Sequence, residues 1–313
     1  MKYNTKTLMP KILVKRIAKL SGHKSAIFTI EKSKEQSCFF SAGGDGMVAH
    51  WDVTKPDEGK LIARVPSNIF ALKYLEKRNL LALGSLQGIL YFIDLENNKV
   101  IEPPIKLEKA IYDFEVIEDK LLVAGGGGKL SVVDIESNQV TAQYTLSTEN
   151  LRSVSFDENL GAIVVGASDN TAYLLNQNFQ LTQLLEQHYS SIFTTKLLRN
   201  KTLLTGSRDA HLAAWSYNGH WENEHYIPAH NYTINDIVEH PTLSIFATAS
   251  RDKTIKIWDA DTLTLLKVIN KQKQDGHLNS VNKLLWLPHK NWLVSASDDH
   301  TIMVWEIGIG VVE

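Results

Sequence analysis

The chain has 313 residues, a length that fits one large domain or two modest ones. Apolar residues make up 43% and charged residues 22% of it, which is typical of a soluble globular protein and excludes a disordered chain. With 33 basic and 35 acidic residues the formal net charge is −2, which disfavours binding to nucleic acid through its phosphates.

The first twenty residues are Lys-rich but contain neither a continuous apolar core nor a small-residue cleavage site. They are therefore not predicted to form a signal peptide. No apolar run approaches the roughly 18 residues that a membrane helix needs. Cys38 is the only cysteine, which excludes an intramolecular disulfide and a multi-cysteine zinc site and predicts a small buried side chain. These features predict a cytoplasmic protein with no membrane contact.

Seven similar segments follow one another along the chain. They are SAGGDGMVAHWD (41–52), ALGSLQGILYFID (82–94), VAGGGGKLSVVD (123–134), VGASDNTAYLLN (165–176), TGSRDAHLAAWS (205–216), TASRDKTIKIWD (248–259) and SASDDHTIMVWE (295–306). Their aligned landmark residues are Trp51, Ile93, Val133, Leu175, Trp215, Trp258 and Trp305. These landmarks are spaced by 42, 40, 42, 40, 43 and 47 residues, and a Lys-rich insertion at 270–275 explains the last interval. The regular period indicates a repeat protein with a single domain over residues 1–313.

Within each repeat the local patterns are those of β-strands. Short apolar or alternating runs such as 26–30, 244–249 and 254–258 predict strands of five to seven residues. Turn residues separate them, among them Asn218-Gly219. Four short strands in about 42 residues, repeated seven times, predict an all-β fold: a seven-bladed β-propeller with four antiparallel strands per blade.

The two ends of the chain are predicted to share the last blade. Only seven residues follow Glu306, too few for an outer strand like that predicted at 264–269. The segment KILVKRIAK (11–19) lies where an outer strand belongs. We therefore expect a tail at 1–9, a closing strand at 10–20 that covers the edge of blade seven, and seven repeats within 21–307.

Two kinds of residue pair recur in the repeats: Gly22-His23 with Gly276-His277, and Trp51-Asp52 with Trp258-Asp259. An Asp also lies six positions before each landmark Trp. These motifs resemble the WD40 (WD-repeat) family over about residues 10–307. In that family a His, a Ser or Thr, the hairpin Asp and the Trp hydrogen-bond in series. The resemblance implies four such structural hydrogen-bond sets, namely His23, Ser41, Asp45, Trp51; His188, Thr205, Asp209, Trp215; His230, Thr248, Asp252, Trp258; and His277, Ser295, Asp299, Trp305.

Blades two to four depart from this pattern. Blade four keeps Asp169 but lacks the Trp, and blades two and three lack the whole set. These blades are expected to depend on apolar packing through Leu83, Ile93, Val123, Val133, Val165 and Leu175.

No enzyme, cofactor or metal site is predicted. The recurrence of Ser, His and Asp beside a Trp argues against a hydrolase triad. The glycine run 125–128 leads into a strand, so it is predicted to be a hairpin and not a phosphate loop. The cluster His220, Glu222, Glu224, His225 and His230 is not predicted to bind metal, because strand alternation sends Glu224 and His225 to opposite faces. His240 and His289 flank prolines in turns and are expected to be solvated.

Propellers of the WD40 family commonly bind peptides or proteins on the rim where the innermost strands begin. Alignment on the set His gives seven rim residues: Phe28, Phe70, Tyr112, Arg152, Phe193, Asn235 and Asn282. Four are aromatic although aromatics make up 9% of the chain, and aromatic and Arg side chains dominate interface hot spots. Residues before the hairpin Asp position add Leu86, Arg208 and Arg251. The alternative is that the aromatic side chains pack between blades along a narrow channel.

The resemblance therefore implies a non-catalytic WD-repeat scaffold that recruits a protein or peptide through its top face, as a monomeric propeller within a complex. One alternative is a structural subunit that uses its sides or lower face. The other is a propeller enzyme, which would need convergent carboxylates or metal ligands at the channel mouth, where Phe, Asn and Tyr are expected instead.

Overall fold

The computed structural model describes residues 11–310. They form seven four-stranded antiparallel sheets. The first strands of neighbouring sheets contact one another around a closed ring, from blade one to blade seven and back to blade one. The predicted all-β, seven-bladed propeller is therefore confirmed.

The described part begins with β1 (Lys11–Ser21), which belongs to blade seven. The strands of blades one to three are β2 (Ile27–Lys32), β3 (Cys38–Gly43), β4 (Met47–Asp52), β5 (Gly59–Arg64); β6 (Ile69–Leu75), β7 (Leu80–Ser85), β8 (Ile89–Asp94), β9 (Lys99–Lys106); and β10 (Ile111–Ile117), β11 (Lys120–Gly125), β12 (Lys129–Asp134), β13 (Gln139–Thr145). Those of blades four to six are β14 (Leu151–Asp157), β15 (Ala162–Ala167), β16 (Thr171–Asn176), β17 (Leu181–Glu186); β18 (Ile192–Leu197), β19 (Leu203–Ser207), β20 (His211–Tyr217), β21 (Trp221–Pro228); and β22 (Ile234–Glu239), β23 (Ile245–Ser250), β24 (Ile255–Asp259), β25 (Leu265–Ile269). Blade seven adds β26 (Val281–Trp286), β27 (Leu293–Ser297) and β28 (Thr301–Gly310).

The closing strand is confirmed. β1 pairs antiparallel with β28 from Lys11↔Gly310 to Ser21↔Thr301, with a bulge between Arg16 and Ala18. The pairing covers the free edge of β28, which would otherwise expose unpaired backbone groups. The expected tail at 1–9 lies outside the described residues.

The Lys-rich insertion at 270–275 forms a single helical turn, α1 (Lys271–Gln274). Asn270 caps it by accepting a hydrogen bond from the Lys273 backbone N–H at 3.0 Å. Arg16 of β1 donates to the carboxylate of Asp275 at 2.5 Å. The insertion is thereby attached to the closing strand.

The apolar core consists of seven clusters, one between each pair of neighbouring blades. The residues expected to stabilise blades two to four lie in these clusters and are buried, namely Leu83, Ile93, Val123, Val133, Val165 and Leu175. The glycine run also forms the expected hairpin, between β11 and β12. Blades two to four therefore bury apolar side chains against both of their neighbours, as expected from the sequence.

Candidate functional site

The structure brings together the members of all four hydrogen-bond sets. In each set the His Nδ1 lies 2.9–3.0 Å from the Asp carboxylate and the His Nε2 lies 2.7–2.8 Å from the Ser or Thr hydroxyl. The Trp Nε1–H donates to the same hydroxyl oxygen at 2.7–3.1 Å. Because that hydroxyl is fully buried in every set, no substrate can reach it as a nucleophile. The sets join the strands of a blade and its preceding loop.

The hairpin carboxylates are ionised within these sets. Burial alone would raise the pKa of Asp252, but hydrogen bonds from His230, Thr254 and the Asn231 backbone lower it below the usual Asp range. The pKa values of Asp209 and Asp299 are lowered in the same way. The sets are therefore charged hairpin anchors with a buried imidazole between the carboxylate and the hydroxyl.

Blade four contains a substitute set that the sequence analysis missed. Asp169 accepts hydrogen bonds from Ser147 Oγ at 2.5 Å and Tyr173 Oη at 2.6 Å. Burial and the bond to Asp169 raise the pKa of Tyr173 to about 12. The available signal was spacing, since Ser147 and Asp169 are 22 residues apart, as are His23 and Asp45.

The seven rim residues share one backbone feature. In the first strand of every blade the pairing register shifts at the rim residue, for example between Ile27 and Thr29 and between Ile69 and Ala71. Each rim residue is therefore the extra residue of a β-bulge, a device that redirects a side chain. All seven side chains line a cavity of about 640 Å³ at the centre of the ring. We call its upper opening the channel mouth and the surrounding hairpins and loops the top face.

Five rim residues form a continuous arc around the channel mouth. Phe28 stacks on Phe70 with ring centroids 4.7 Å apart, and Phe70 lies 6.1 Å from Tyr112. The Arg152 guanidinium lies 4.4 Å from the Tyr112 ring centroid and 4.3 Å from that of Phe193. The five side chains are half-buried. They thus contact one another across blades and also face the cavity, which combines the two alternatives considered for them.

The remaining site residues have other positions. Asn235 donates to the Val281 carbonyl at 2.8 Å, and Asn282 donates to the Ile27 carbonyl at 2.9 Å. These two amides join neighbouring blades. Leu86 is exposed and lines the cavity. Arg208 and Arg251 are exposed on top-face hairpins outside the cavity. The predicted binding residues therefore lie partly at the channel mouth and partly around it.

Charged side chains that were not expected from the sequence line the deeper part of the channel. Below the arc the cavity is lined by Glu31, Lys73, Asp113, Glu115, Lys196, Asp236 and Lys283. Each lies one or three positions after a rim residue, because the bulge at the rim residue shifts the alternation of the strand by one position.

Several of these charges have partners within the protein. Lys73 contacts Glu115 at 2.6 Å, and Lys283 contacts Asp236 at 3.2 Å. Asp113 accepts a hydrogen bond from the Val154 backbone N–H at 3.0 Å. Burial raises the pKa values of Glu31 and Asp113. Of the four channel carboxylates, Glu115 and Asp236 are thus paired with lysines and Asp113 is bound by a backbone amide. These interactions connect neighbouring first strands and so stabilise the wall of the channel.

The expectation that His240 is solvated is wrong. It is buried rather than solvated, and its Nδ1 accepts from the backbone N–H groups of Thr242 and Leu243 at 3.1 and 2.9 Å. The ring meets Trp286 edge-on at 4.6 Å. Burial lowers the pKa of His240 to about 4. Two backbone donors therefore hold a neutral imidazole inside the turn.

One group of metal-ligand side chains occurs within residues 11–310. Ligand atoms of Glu35, Cys38 and His50 lie within 4.8 Å of one another. Burial raises the pKa of the Cys38 thiol and lowers that of His50. The thiol is thereby kept protonated, which disfavours metal binding because the thiolate is the ligand form. In the 219–230 segment, His220 instead pairs with Glu222 at 2.7 Å on the surface.

Comparison with known proteins identifies a matching repeat family and several relatives. The family model "WD domain, G-beta repeat" matches residues 14–52, 221–259 and 269–306. Protein tipD of Dictyostelium discoideum is 25% identical over 59% of this chain and 38% of its own length. Apoptotic protease-activating factor 1 of Rattus norvegicus is 19% identical over 94% of this chain and 23% of its own length. Nuclear distribution protein PAC1 of Arthroderma benhamiae is 23% identical over 51% of this chain and 36% of its own length.

The chain thus spans less than two fifths of the length of each of these three relatives. In the part of the chain that the structure describes, no helix is long and apolar enough to cross a membrane. The three matched stretches contain all or most of the inner three strands of blades one, six and seven, and the first two also contain most or all of the outer strand that precedes them. The described residues as a whole form seven four-stranded sheets. Three stretches of the chain thus match the WD40 repeat, and the described residues form a seven-bladed β-propeller.

Proposed function

We propose that the chain is a non-catalytic WD-repeat scaffold that recruits a peptide segment or protein domain through the channel mouth on its top face. The observation that carries this proposal is the half-buried arc of Phe28, Phe70, Tyr112, Arg152 and Phe193. Aromatic and Arg side chains in a partly desolvated depression are the usual anchors of protein interfaces. The chain would act as a monomeric cytoplasmic propeller within a complex, with Leu86, Arg208 and Arg251 around the anchor.

Two observations support a role without catalysis. The hydroxyls of the four Ser- or Thr-containing sets are fully buried, and lysines or a backbone amide engage three of the four channel carboxylates. The names of the relatives, a nuclear distribution protein and a protease-activating factor among them, denote no reaction of their own. A binding function is consistent with the buried hydroxyls and with the engaged carboxylates.

The experiment compares wild type with Phe70→Ala. Proteins captured by the wild-type chain are identified by mass spectrometry, and the affinity of the purified partner is then measured. Loss of an anchor should weaken binding by on the order of thirtyfold. Because Phe70 is half-buried and stacked at 4.7 Å on Phe28, its truncation should lower the free energy of unfolding by about 1–2 kcal/mol, below the roughly 3–5 kcal/mol of a fully packed Phe.

The matched control is Tyr217→Ala, an exposed aromatic at the end of β20. It should leave both partner affinity and stability nearly unchanged. Strong destabilisation by Phe70→Ala with unchanged affinity for the captured partner would refute the proposed binding role and assign the arc to packing alone.

A second candidate is a structural subunit that binds through the side of the propeller. It is favoured by Leu181 and Leu184, which are both exposed on the outer strand β17. The double variant Leu181→Glu with Leu184→Glu should abolish complex formation in that case, whereas Phe70→Ala should not. Size-exclusion of the reconstituted complex distinguishes the two.

A further inference from the structure

Arg152 occupies an unusual position within the arc. Its guanidinium lies between two aromatic rings, 4.4 Å from the Tyr112 centroid and 4.3 Å from the Phe193 centroid. Stacking on both sides fixes the plane of the guanidinium and still leaves its N–H edges for ligands in that plane. The side chain is thus held in advance in one orientation at the channel mouth.

Arg152 is stacked on two rings but forms no ion pair with an acidic side chain among the described residues. Its Nε is buried and has no hydrogen-bond partner among those residues. Burial lowers the pKa of Arg152, the Tyr112 hydroxyl raises it, and the neighbouring positive charge of Arg208 lowers it. The side chain nevertheless stays protonated, because an Arg guanidinium does not lose its proton in proteins. A desolvated cation without an anion is costly, and an incoming anion would remove that cost.

We propose that Arg152 binds an oxyanion on the peptide segment that enters the channel mouth, with an apolar neighbour of that group packing on Phe28 and Phe70. This deepens the proposed function and rests on it. The recognised chemistry is a planar or tetrahedral oxyanion, either an Asp or Glu carboxylate or a phosphoryl group on a side chain, bound by the N–H edge of the guanidinium. Arg208 adds positive charge on the same side of the mouth.

The deeper channel limits what the partner can carry. Glu31 and Asp113 line the same cavity, and neither is paired with a Lys or Arg side chain in the described structure. Lys196, also without an acidic partner among the described residues, lines it as well, so the deeper channel carries unpaired charges of both signs and offers no uniformly positive surface to a run of acidic residues. The preferred segment therefore contains one acidic group beside an apolar residue.

The test uses a random octapeptide display library selected on the wild-type chain. Enriched sequences should share one Asp or Glu at a fixed distance from an apolar residue. The best peptide is then synthesised in three forms, with its acidic residue, with the corresponding amide, and with phosphoserine at that position. The amide form should bind roughly 10- to 100-fold more weakly to wild type, and the phosphoserine form shows whether carboxylate or phosphate is preferred.

Variants of the protein assign the effect to Arg152. Arg152→Gln should lose the difference between acidic and amide peptides, whereas Arg152→Lys should retain part of it through its charge. Arg64→Gln, an exposed Arg at the end of the outer strand β5 and outside the cavity, is the matched control and should retain the full difference. Thermal unfolding of each variant verifies that the propeller is intact.

The outcomes separate this inference from the proposed function. If enriched peptides lose affinity for Phe70→Ala but bind equally well in acidic and amide forms, the mouth binds peptides and Arg152 is not an oxyanion site. If wild type enriches no sequence, or if the peptides bind Phe70→Ala as well as wild type, the proposed function and this inference are both refuted.

Discussion

Removal of the Asp252 carboxylate tests whether the hydrogen-bond sets stabilise the propeller. Asp252 accepts four hydrogen bonds, from His230 Nδ1 at 2.9 Å, the Asn231 N–H at 3.0 Å, and the Thr254 N–H and Oγ1 at 3.0 and 2.6 Å. In Asp252→Ala all four donors lose this acceptor. The consequence depends on which of them water can reach.

The solvent exposure of the four donors determines how much unfolding free energy Asp252→Ala loses. The His230 side chain is 0% exposed, so its Nδ1–H would be left with the longer 3.3 Å contact to Thr254 Oγ1, whereas Asn231 is exposed and Thr254 is half-buried. One poorly satisfied buried donor and the weakening of the others should cost about 2–3 kcal/mol. Asp169→Ala should cost about 1 kcal/mol, because two of its donors are the hydroxyls of Ser147 and Tyr173, which can rotate to other acceptors.

The assay is denaturant unfolding followed by tryptophan fluorescence. The exposed Asp57→Ala is the control and should leave the midpoint unchanged. Since the folded pKa of Asp252 is lowered below its unfolded value near 3.9, its stabilisation is complete above that pH and is lost as the pH falls through the folded pKa. The difference between wild type and variant should shrink accordingly in acid. Equal costs for Asp252→Ala and Asp169→Ala, or a difference that is constant down to acid pH, would refute this reasoning.

Deletion of residues 1–19 removes most of β1 from its pairing with β28, so the thermal midpoint should fall and the exposed edge should promote association, measured by light scattering; a monomer with an unchanged midpoint would contradict this role of β1. Because burial lowers the folded pKa of His240 to about 4 from about 6.5 in the unfolded chain, stability should decline by about 2–3 kcal/mol as the pH falls from 6.5 to 4. His240→Gln should be less stable at neutral pH but should lack that share of the decline; parallel pH curves would argue against it. Gly128→Ala would place a Cβ 1.7 Å from the Ser147 carbonyl oxygen, whereas Gly219→Ala meets nothing within 4 Å. Both positions have positive φ, so calorimetry should show about 1 kcal/mol of strain for Gly219→Ala and a clearly larger loss for Gly128→Ala.

The fold could be predicted because its signals are periodic. The landmark spacing located even the blades without Trp, and the segment 11–19 lies before Gly22-His23, where an outer strand belongs. The hydrogen-bond sets followed from the resemblance to the WD40 family, which His and Trp residues at fixed distances made recognisable. The set of Ser147, Asp169 and Tyr173 was missed because Ser and Tyr hydroxyls can bond to many partners, so their presence in a sequence names none of them.

The channel charges and His240 were missed for a different reason. Whether a strand residue faces the channel depends on pairing register, and a bulge in each first strand shifts that register by one residue. Sequence alternation alone does not locate a bulge. His240 was assigned to solvent because it precedes a proline, but the turn folds its own backbone N–H groups onto the ring.

The bulge in each first strand places a buried packing residue directly before a residue that faces the channel mouth. The residue immediately before each rim residue is aliphatic and almost fully buried in all seven blades, the series being Ile27, Ile69, Ile111, Leu151, Ile192, Ile234 and Val281. The bulged residue that follows varies from Phe to Tyr, Arg and Asn. Packing between blades restricts the first position, whereas the second is turned out of the sheet toward the channel mouth. Asn235 and Asn282 are exceptions, because their amides join neighbouring blades. Substitutions of the five arc residues should cost the ring less than substitutions at the first position, because the inter-blade clusters and hydrogen-bond sets lie elsewhere in each blade. The arc is therefore the part of the ring where the proposed recognition could change with the least loss of stability.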